Sequence, residues 1–483
     1  MSTLPERLTK LFRDAIDLCE TERLTGASLV RDGEMLEVYR HEYVTAQAAG
    51  GDATPRLSAK GTALGISLQG GRIAVIAVGK AAPGQARAMY AALSDRIDKG
   101  LLVVPEDMDA GVVPPGFELV RASHPLPGAG SVEAARKALA IAASLTKEDM
   151  LLCGISGGTS ALLALPAEGL SLSDKEQTTR MLLRSGAGIG EINTVRKHLS
   201  RVKGGQLAAA TRASVLGLLL SDVAGDPPDV IGSGPVTPDP STFGEALKVL
   251  GKYSLAEKVP SGILAHLLAG TKGQVPETPK GVSAKGGGTP TERGSHDALG
   301  ERCRTVVVAG PEHLRSAAVA LAAQAGFAGA GTEPPSSGQD VEALAKQLGV
   351  LARAARERQD KRTTGKVAKP QIFVYVREPS VAVTGDGIGG RNSHLALLVA
   401  KEIAGIPGAS FLAAGSDGVD GDTKSAGAAV TGESWAAALA KGLEPEARLA
   451  RFDSGMVHAG LGTAIVTGRT GVNFMDLHLL AVE

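Results

Sequence analysis

Six stretches place glycine beside lysine, arginine, serine or aspartate directly after a short apolar run. In residues 73–89 (IAVIAVGKAAPGQARAM) the run ends at Gly79, Lys80 follows, and a helical pattern begins. A lysine at such a junction lies beside backbone N–H groups and a helix N-terminal dipole, which together attract an anion. Residues 151–166 (LLCGISGGTSALLALP) repeat the arrangement. Gly157 and Gly158 let the backbone approach a ligand closely, and Ser156, Thr159 and Ser160 supply hydroxyls, so the turn reads as a phosphate or carboxylate cradle. It is neither a GxxxxGK[ST] loop nor a GxSxG elbow.

Residues 191–208 (EINTVRKHLSRVKGGQLA) predict a helix beginning near Asn193 or Thr194. Asn193 and Lys197 lie four apart on one face beside Arg196, a group suited to phosphates or a substrate carboxylate; Arg201 and Lys203 read as a solvated basic face. Residues 216–242 run from a buried strand into Ser221-Asp222 and a long Gly/Pro/Asp loop. Asp222 is placed to hold Mg²⁺ or to take the proton of a hydroxyl; Asp226 is a second acid, and Asp229 and Asp239 read as turn formers. Residues 383–400 carry GDGIGG before Arg391 and Asn392, read as a glycine hinge delivering an arginine to a helix start, where it can stabilise charge on a transferring phosphoryl group. Asp417, Asp420 and Asp422 cluster after another strand, without the spacing of an EF-hand. Each site also has a bland reading as an ordinary turn. Together, strand ends offering Lys, Arg, Ser and Asp suit phosphoryl transfer, which needs positioning and charge neutralisation more than a nucleophile.

Such groups must be positioned by a sheet. Apolar runs at 73–78, 101–104, 150–153, 215–220, 305–309, 371–376 and 411–414, most followed by Ala-rich helical patterns, predict an α/β protein with parallel strands. In such folds ligands bind at strand carboxyl ends. Leu4, Leu8, Leu11, Phe12, Ala15, Ile16 and Cys19 share one face of a predicted N-terminal helix docked on a core. The 483 residues suggest two or three domains. A Gly/Pro/Ser/Thr-rich break at 271–300 reads as a linker or insertion between domains 1–270 and 301–483, and the basic stretch 353–370 as a solvated helix end and loop.

Fifty-one basic residues balance 51 acidic ones and aromatics are 3%, which argues against a nucleic-acid partner. No apolar segment is long enough to span a membrane. Three widely spaced cysteines give neither a zinc motif nor a disulfide framework, so a reducing, cytoplasmic setting is expected.

Taken together, VGKAA, SGGTSALL, INTVRKHLSRVKGGQLA, LLLSDVAGDPPDVIGSGPVTPDPST, GGRN, GSDGVDG and TGRTGVNFMDL resemble, in order, the class II glycerate kinases, whose C-terminal region is called MOFRL. The resemblance covers nearly the whole chain outside 271–300. It implies an N-terminal Rossmann-like domain, a smaller C-terminal α/β domain, an active-site cleft between them, and ATP, Mg²⁺ and D-glycerate as ligands. It implies that Lys80 contacts substrate or phosphates, that Arg391 reaches across the cleft to the transferring phosphoryl group, that Ser156, Gly157 and Gly158 form the cradle, that Asn193, Arg196 and Lys197 bind substrate or phosphate, and that Asp222 orients Mg²⁺ or the accepting hydroxyl. Asn392, Asp417 and Asp420 are candidate nucleotide contacts. The sequence departs from the family where DTKSAGA replaces a PTDAAGA-like stretch and where the tail reads TGRTGVNFMDL. The expected product is 2-phosphoglycerate. The alternatives are phosphorylation at the 3-hydroxyl and a hydroxypyruvate reductase, the latter lacking a dinucleotide fingerprint. A homodimer is expected on base rates alone.

Overall fold

The computed structural model describes residues 2–47, 53–68, 70–280, 299–300, 302–329, 340–361 and 369–483. The chain divides into two units: residues 21–40 with 61–309, and residues 1–20 with 41–60 and 310–483.

The first unit is built on six strands, β1 (Ile73–Val78), β2 (Ile97–Pro105), β3 (Phe117–Ala122), β4 (Met150–Ile155), β5 (Ser214–Leu220) and β6 (Cys303–Ala309). They form one parallel sheet in the order β3-β2-β1-β4-β5-β6. This is the doubly wound Rossmann order. Every residue of β1 and β4 is buried, because helices cover both faces. The helix Ala129–Ala143 presents Ala134, Ala135, Ala138 and Ala142 to Ile76, Val103 and Cys153, small side chains that let helix and sheet approach closely. Four more helices form a second core around Leu182, Val195, Phe243, Leu250 and Leu267: α2 (Leu172–Arg184), α3 (Ile189–His198), Phe243–Lys252 and Ser261–Thr271. The chain turns outward in opposite directions from β1 and β4, so a crevice opens outside their carboxyl ends.

Two features differ from the expected division. The strand at 303–309, expected to open the C-terminal domain, pairs with β5 as the outer strand of the first sheet. The N-terminal helix Leu4–Leu18 belongs to the second unit; it buries the expected face of Leu4, Leu8, Leu11, Phe12, Ala15 and Ile16. An apolar strand or stripe states that it is buried but not against what. Of the expected linker 271–300, residues 281–298 lie outside the described residues. Residues 277–278 are anchored: Glu277 bonds His198 (2.8 Å), and Thr278 donates to Asp239 (3.0 Å).

The second unit holds β7 (Gln371–Arg377), β8 (Ala409–Gly415), β9 (Gly427–Thr431), β10 (Ala464–Ile465) and β11 (Asp476–Val482), in the order β7-β11-β8-β9-β10. All four pairings are antiparallel. The expectation of parallel strands at 371–376 and 411–414 is corrected here: these two point the same way, but β11 inserts between them. A run buried on both faces reads the same in either kind of sheet, and β11 is as fully buried as its neighbours. The helices Val341–Lys361 and Arg391–Glu402 close one face through Leu344, Leu348, Leu395 and Val399. Within the basic stretch, Arg353 and Arg356 donate to the carbonyls of Glu402 and Glu483, so part of it is docked; residues 362–368 lie outside the described residues.

Candidate active site

The carboxyl ends of β1 and β4 are knitted together by the two glycine turns. Gly79 has φ +126°, and a Cβ there would lie 2.1 Å from Ser156 Oγ and 2.9 Å from the Gly157 carbonyl. Glycine is therefore required on both conformational and spatial grounds. The Lys80 N–H donates to the Gly157 carbonyl (2.8 Å), the Ala81 N–H donates to Ser156 Oγ (3.1 Å), and Thr159 Oγ1 donates to the Val78 carbonyl (2.9 Å). Gly158 sits at φ +89°, with the Lys80 Cγ 3.6 Å from where its Cβ would be. Lys80, Ser156, Gly157 and Gly158 are thus brought together at the switch point of the sheet. Gly79→Ala is expected to destabilise the protein by about 2–4 kcal/mol. A urea midpoint within error of wild type would refute that.

Asp222 follows β5, whose end is fixed by the Ser221 N–H donating to the Ala309 carbonyl (2.8 Å). Burial raises the Asp222 carboxyl above the ordinary aspartate range, and the charge of Lys80 opposes the rise. A carboxyl with a raised pKa is a stronger base. Asp226, in the same loop, has φ 53° and a buried Oδ1 with no hydrogen-bond partner.

The basic segment is arranged differently from its sequence reading. Its helix α3 begins at Ile189, with Gly188 as N-cap, rather than near Asn193. Glu191 at N3 supports that earlier start by accepting from the Gly188 N–H (3.0 Å). Asn193 Oδ1 accepts from Ser233 Oγ (3.1 Å) and Arg196 Nη1 (3.4 Å), and Ser233 Oγ lies 2.7 Å from Ser160 Oγ. Asn193 and Arg196 therefore join the cradle side. Lys197 does not: it is buried and bonds Asp229 (3.1 Å) and Asp239 (3.3 Å). Asp239 is fully buried and also accepts from Ser241 and Thr278, so the two aspartates read as turn formers are the counter-charges of an internal lysine. Arg201 is exposed, as expected, but Lys203 is only 2% exposed and donates to the carbonyls of Ser160 (2.7 Å) and Leu163 (3.0 Å). The long loop brings Asp229 and Asp239 to Lys197 from 32 and 42 residues away, and the carbonyls that Lys203 meets lie 43 and 40 residues from it, which local charge pattern cannot reveal.

Lys175 was missed entirely. It lies on α2 in line with Thr178 and Leu182, all three buried. The signal available was its place in that i, i+3, i+7 stripe. Burial, and then the charge of Arg196, lowers its ammonium to about 7.

In the second unit Arg391 is the first residue of α4 (Arg391–Glu402). Its Nε donates to Asp476 (2.6 Å) and its Nη2 pairs with Glu378 (3.2 Å). Burial acts against the Arg391 charge, but the bond to Asp476 and the neighbouring carboxylates outweigh it, so its pKa is raised. Asp420 is buried and caps α4, accepting from the Asn392 and Ser393 N–H groups at 2.8 Å each. A Cβ at Gly390 would meet the Asp420 Cγ at 2.2 Å, so glycine makes room for that cap. Asp417 accepts from the Val419 N–H (3.0 Å), anchoring its own turn. Asn392 is buried, and its Oδ1 lacks a hydrogen-bond partner. The GDGIGG run is no open hinge: Cβ atoms at Gly385, Gly387 and Gly389 would lie 2.5 Å from atoms of the 451–453 segment, so these glycines serve close packing. Asp476 and Glu378 were not picked out as partners of Arg391, being 85 and 13 residues away in sequence.

In the first unit a lysine, a glycine-rich cradle and a carboxylate gather at the strand ends of a Rossmann sheet, an arrangement suited to phosphorylated ligands; in the second unit, by itself, an arginine opens a helix. Residues 7–268 match a family model described as a domain of unknown function (DUF4147), and residues 371–476 match the MOFRL family. The chain is 37% identical over 409 residues to a protein of Thermotoga maritima named D-glycerate 2-kinase, covering 84% of this chain and 89% of that one. It is 34% identical to a glycerate 2-kinase of Pyrococcus horikoshii, covering 85% and 88%. It is 35% identical to a protein of Agrobacterium vitis provisionally named a hydroxypyruvate reductase, covering 85% and 87%. The crystal structure of a glycerate kinase from Thermotoga maritima matches with a TM-score of 0.76 and 31% identity, over 99% of both chains. The chain belongs to the class II glycerate kinase family, with a C-terminal MOFRL domain.

Proposed function

We propose that this protein transfers the γ-phosphoryl group of ATP to the 2-hydroxyl of D-glycerate, giving ADP and 2-phosphoglycerate. The observation that carries the reading is the convergence of Lys80, the Ser156–Gly158 turn and Asp222 at the switch point of the sheet. The relatives named for 2-phosphorylation support the choice of hydroxyl.

In this reading the substrate hydroxyl oxygen forms the new bond to the γ-phosphorus as the bridging bond to ADP breaks. Asp222, its basicity raised by burial, accepts the hydroxyl proton. Lys80 neutralises charge on the transferring group, and the 156–158 backbone cradles it. Arg391 stabilises the same developing charge. Asn193 and Arg196 orient the acceptor, while Lys197 holds the loop that carries Asp229 and Asp239. Asn392 offers its unpartnered oxygen to the nucleotide; Asp417 and Asp420 act by fixing the backbone around it.

Among the described residues no group of three or more His, Cys, Asp or Glu side chains could hold a metal ion. Mg²⁺ at a nucleotide site needs only one or two carboxylates, with water and phosphate oxygens completing the shell. The unpartnered Oδ1 of Asp226 fits that requirement, with Asp222 kept as the base. Bound there, Mg²⁺ would neutralise phosphate charge. Among the described residues no helix is long and apolar enough to cross a membrane. The cytoplasmic setting is part of the proposal on the cysteine pattern, and the homodimer on base rates alone.

The test is ADP release from ATP, Mg²⁺ and D-glycerate, with the product passed to enolase, which accepts 2- but not 3-phosphoglycerate. Glycerate-dependent ADP with an enolase signal is expected. ADP without that signal moves the product to the 3-position. Oxidation of NADH by hydroxypyruvate with no ADP would overturn the kinase reading.

A further inference from the structure

Behind the 156–160 turn three cationic side chains converge, and among the described residues no carboxylate pairs with them. Lys203 Nζ and Arg196 Nη2 both point at the Ser160 carbonyl, at 2.7 and 3.4 Å. Lys175 is 7% exposed, and its Nζ makes no hydrogen bond. The three sense one another: the charge of Arg196 bears on Lys175, and those of Arg196 and Lys175 bear on Lys203. Lys197, one residue beyond Arg196 and only 3% exposed, shows what a structural buried lysine looks like here, with two aspartates on its ammonium. Among the described residues no ion pair is made by Lys175, Arg196 or Lys203. Burying unbalanced cations is costly, and such a cluster is retained where an anion completes it.

We propose that Lys175, Arg196 and Lys203 form a pocket for a small oxyanion, the carboxylate of the acceptor acid. This rests on the kinase reading for the identity of the acid, though not for the existence of the pocket. Ser160 ties the pocket to the cradle. It lies four residues beyond Ser156, bonds Ser233, and through it reaches Asn193. An acid held by its carboxylate behind this turn presents its hydroxyl toward the strand ends where Lys80 and Asp222 lie. Arg196 and Ser160 are half-buried, so solvent reaches them, while Lys175 lies deeper. The phosphoryl group has Lys80, the cradle and Arg391 as its partners in the proposed reaction; the carboxylate otherwise has none of comparable charge.

The experiment uses full-length wild type and Lys175→Met, which keeps length and removes charge. Thermal midpoints are read without ligand and with D-glycerate, glycerol or inorganic phosphate, beside KM for D-glycerate and for ATP. We expect the ligand-free midpoint to rise in Lys175→Met, because an unbalanced buried charge is gone. D-glycerate should raise the wild-type midpoint and not the variant's, and glycerol should raise neither. KM for D-glycerate should increase about tenfold or more, the worth of one charged hydrogen bond, with KM for ATP within about twofold. Lys175→Gln serves as a second variant, read the same way, should methionine prevent folding. A variant stabilised by glycerate as well as wild type would show that Lys175 is structural and overturn the pocket. Phosphate stabilising wild type through Lys175 while glycerate does not would overturn the carboxylate assignment. Lys175-dependent stabilisation by glycerate in a protein that releases no ADP would uphold the pocket and defeat the kinase reading.

Discussion

Arg391→Ala is expected to lower kcat for glycerate-dependent ADP release by on the order of 10³-fold, the lower end of what an arginine on a transferring phosphoryl group contributes. The side chain is held ready by Asp476 through Nε (2.6 Å) and by Glu378 through Nη2 (3.2 Å). These contacts fix the planar fork. The same contacts give the substitution a second effect. Asp476 is buried, and its carboxyl is raised by burial against the pull of Arg391. Removing the cation leaves a buried acid unpaired, so the variant should also lose stability, and its folded fraction must be measured before its rate is read. Two further observations separate the effects. Arg391→Lys should restore much of the stability while remaining slow, because an ammonium cannot reproduce the fork. Added guanidinium at concentrations well below denaturing should partly restore kcat of the alanine variant. A folded Arg391→Ala enzyme turning over within tenfold of wild type would remove Arg391 from the phosphoryl group.

The elements that position the site were legible where a local pattern suffices. Gly79-Lys80 and 156–160 stand after apolar runs that are β1 and β4, and glycine there reports a close approach that the structure realises between those two turns. Asp222 could be singled out because it stands just after an apolar run that is β5. What stayed hidden was set by partners distant in sequence. Lys197 and Lys203 belong to one run of basic residues, yet one meets two aspartates and the other two carbonyls. Lys175 went unread because periodicity marks a face without revealing how deeply it is buried. In the second unit β11 slips between β7 and β8, reversing the expected pairing, and brings Asp476 to Arg391. Strand order and cross-chain ion pairs are non-local, and composition does not encode them.

Lys80→Ala is expected to reduce kcat/KM by about 10²–10³-fold, the cost of losing one preorganised charge aimed at the developing negative charge. The loss should fall on kcat more than on KM for ATP, since a group that acts in the transition state does not merely tether the nucleotide. Lys80→Arg should not rescue it. The lysine stem runs beside Gly158, with Cγ 3.6 Å from that residue's Cβ position, and a guanidinium would carry its charge to a different point. Asp222 supplies an independent readout. Burial raises its carboxyl and Lys80 lowers it, so without Lys80 the rise must be larger. A base works deprotonated, and the rising limb of the pH–rate profile should therefore move to higher pH in Lys80→Ala. The sign for stability is the opposite of that for catalysis. An aspartate whose folded pKa lies above its unfolded one contributes stability only at acidic pH, and this is lost as pH rises through the folded value. Asp222→Asn should thus stabilise the fold at neutral pH while stopping turnover, which would show that the carboxylate is kept for chemistry. A Lys80→Ala enzyme with unchanged kcat, a raised KM for ATP and an unmoved acid limb would make Lys80 a nucleotide anchor and leave Asp222 without the neighbour that sets its charge.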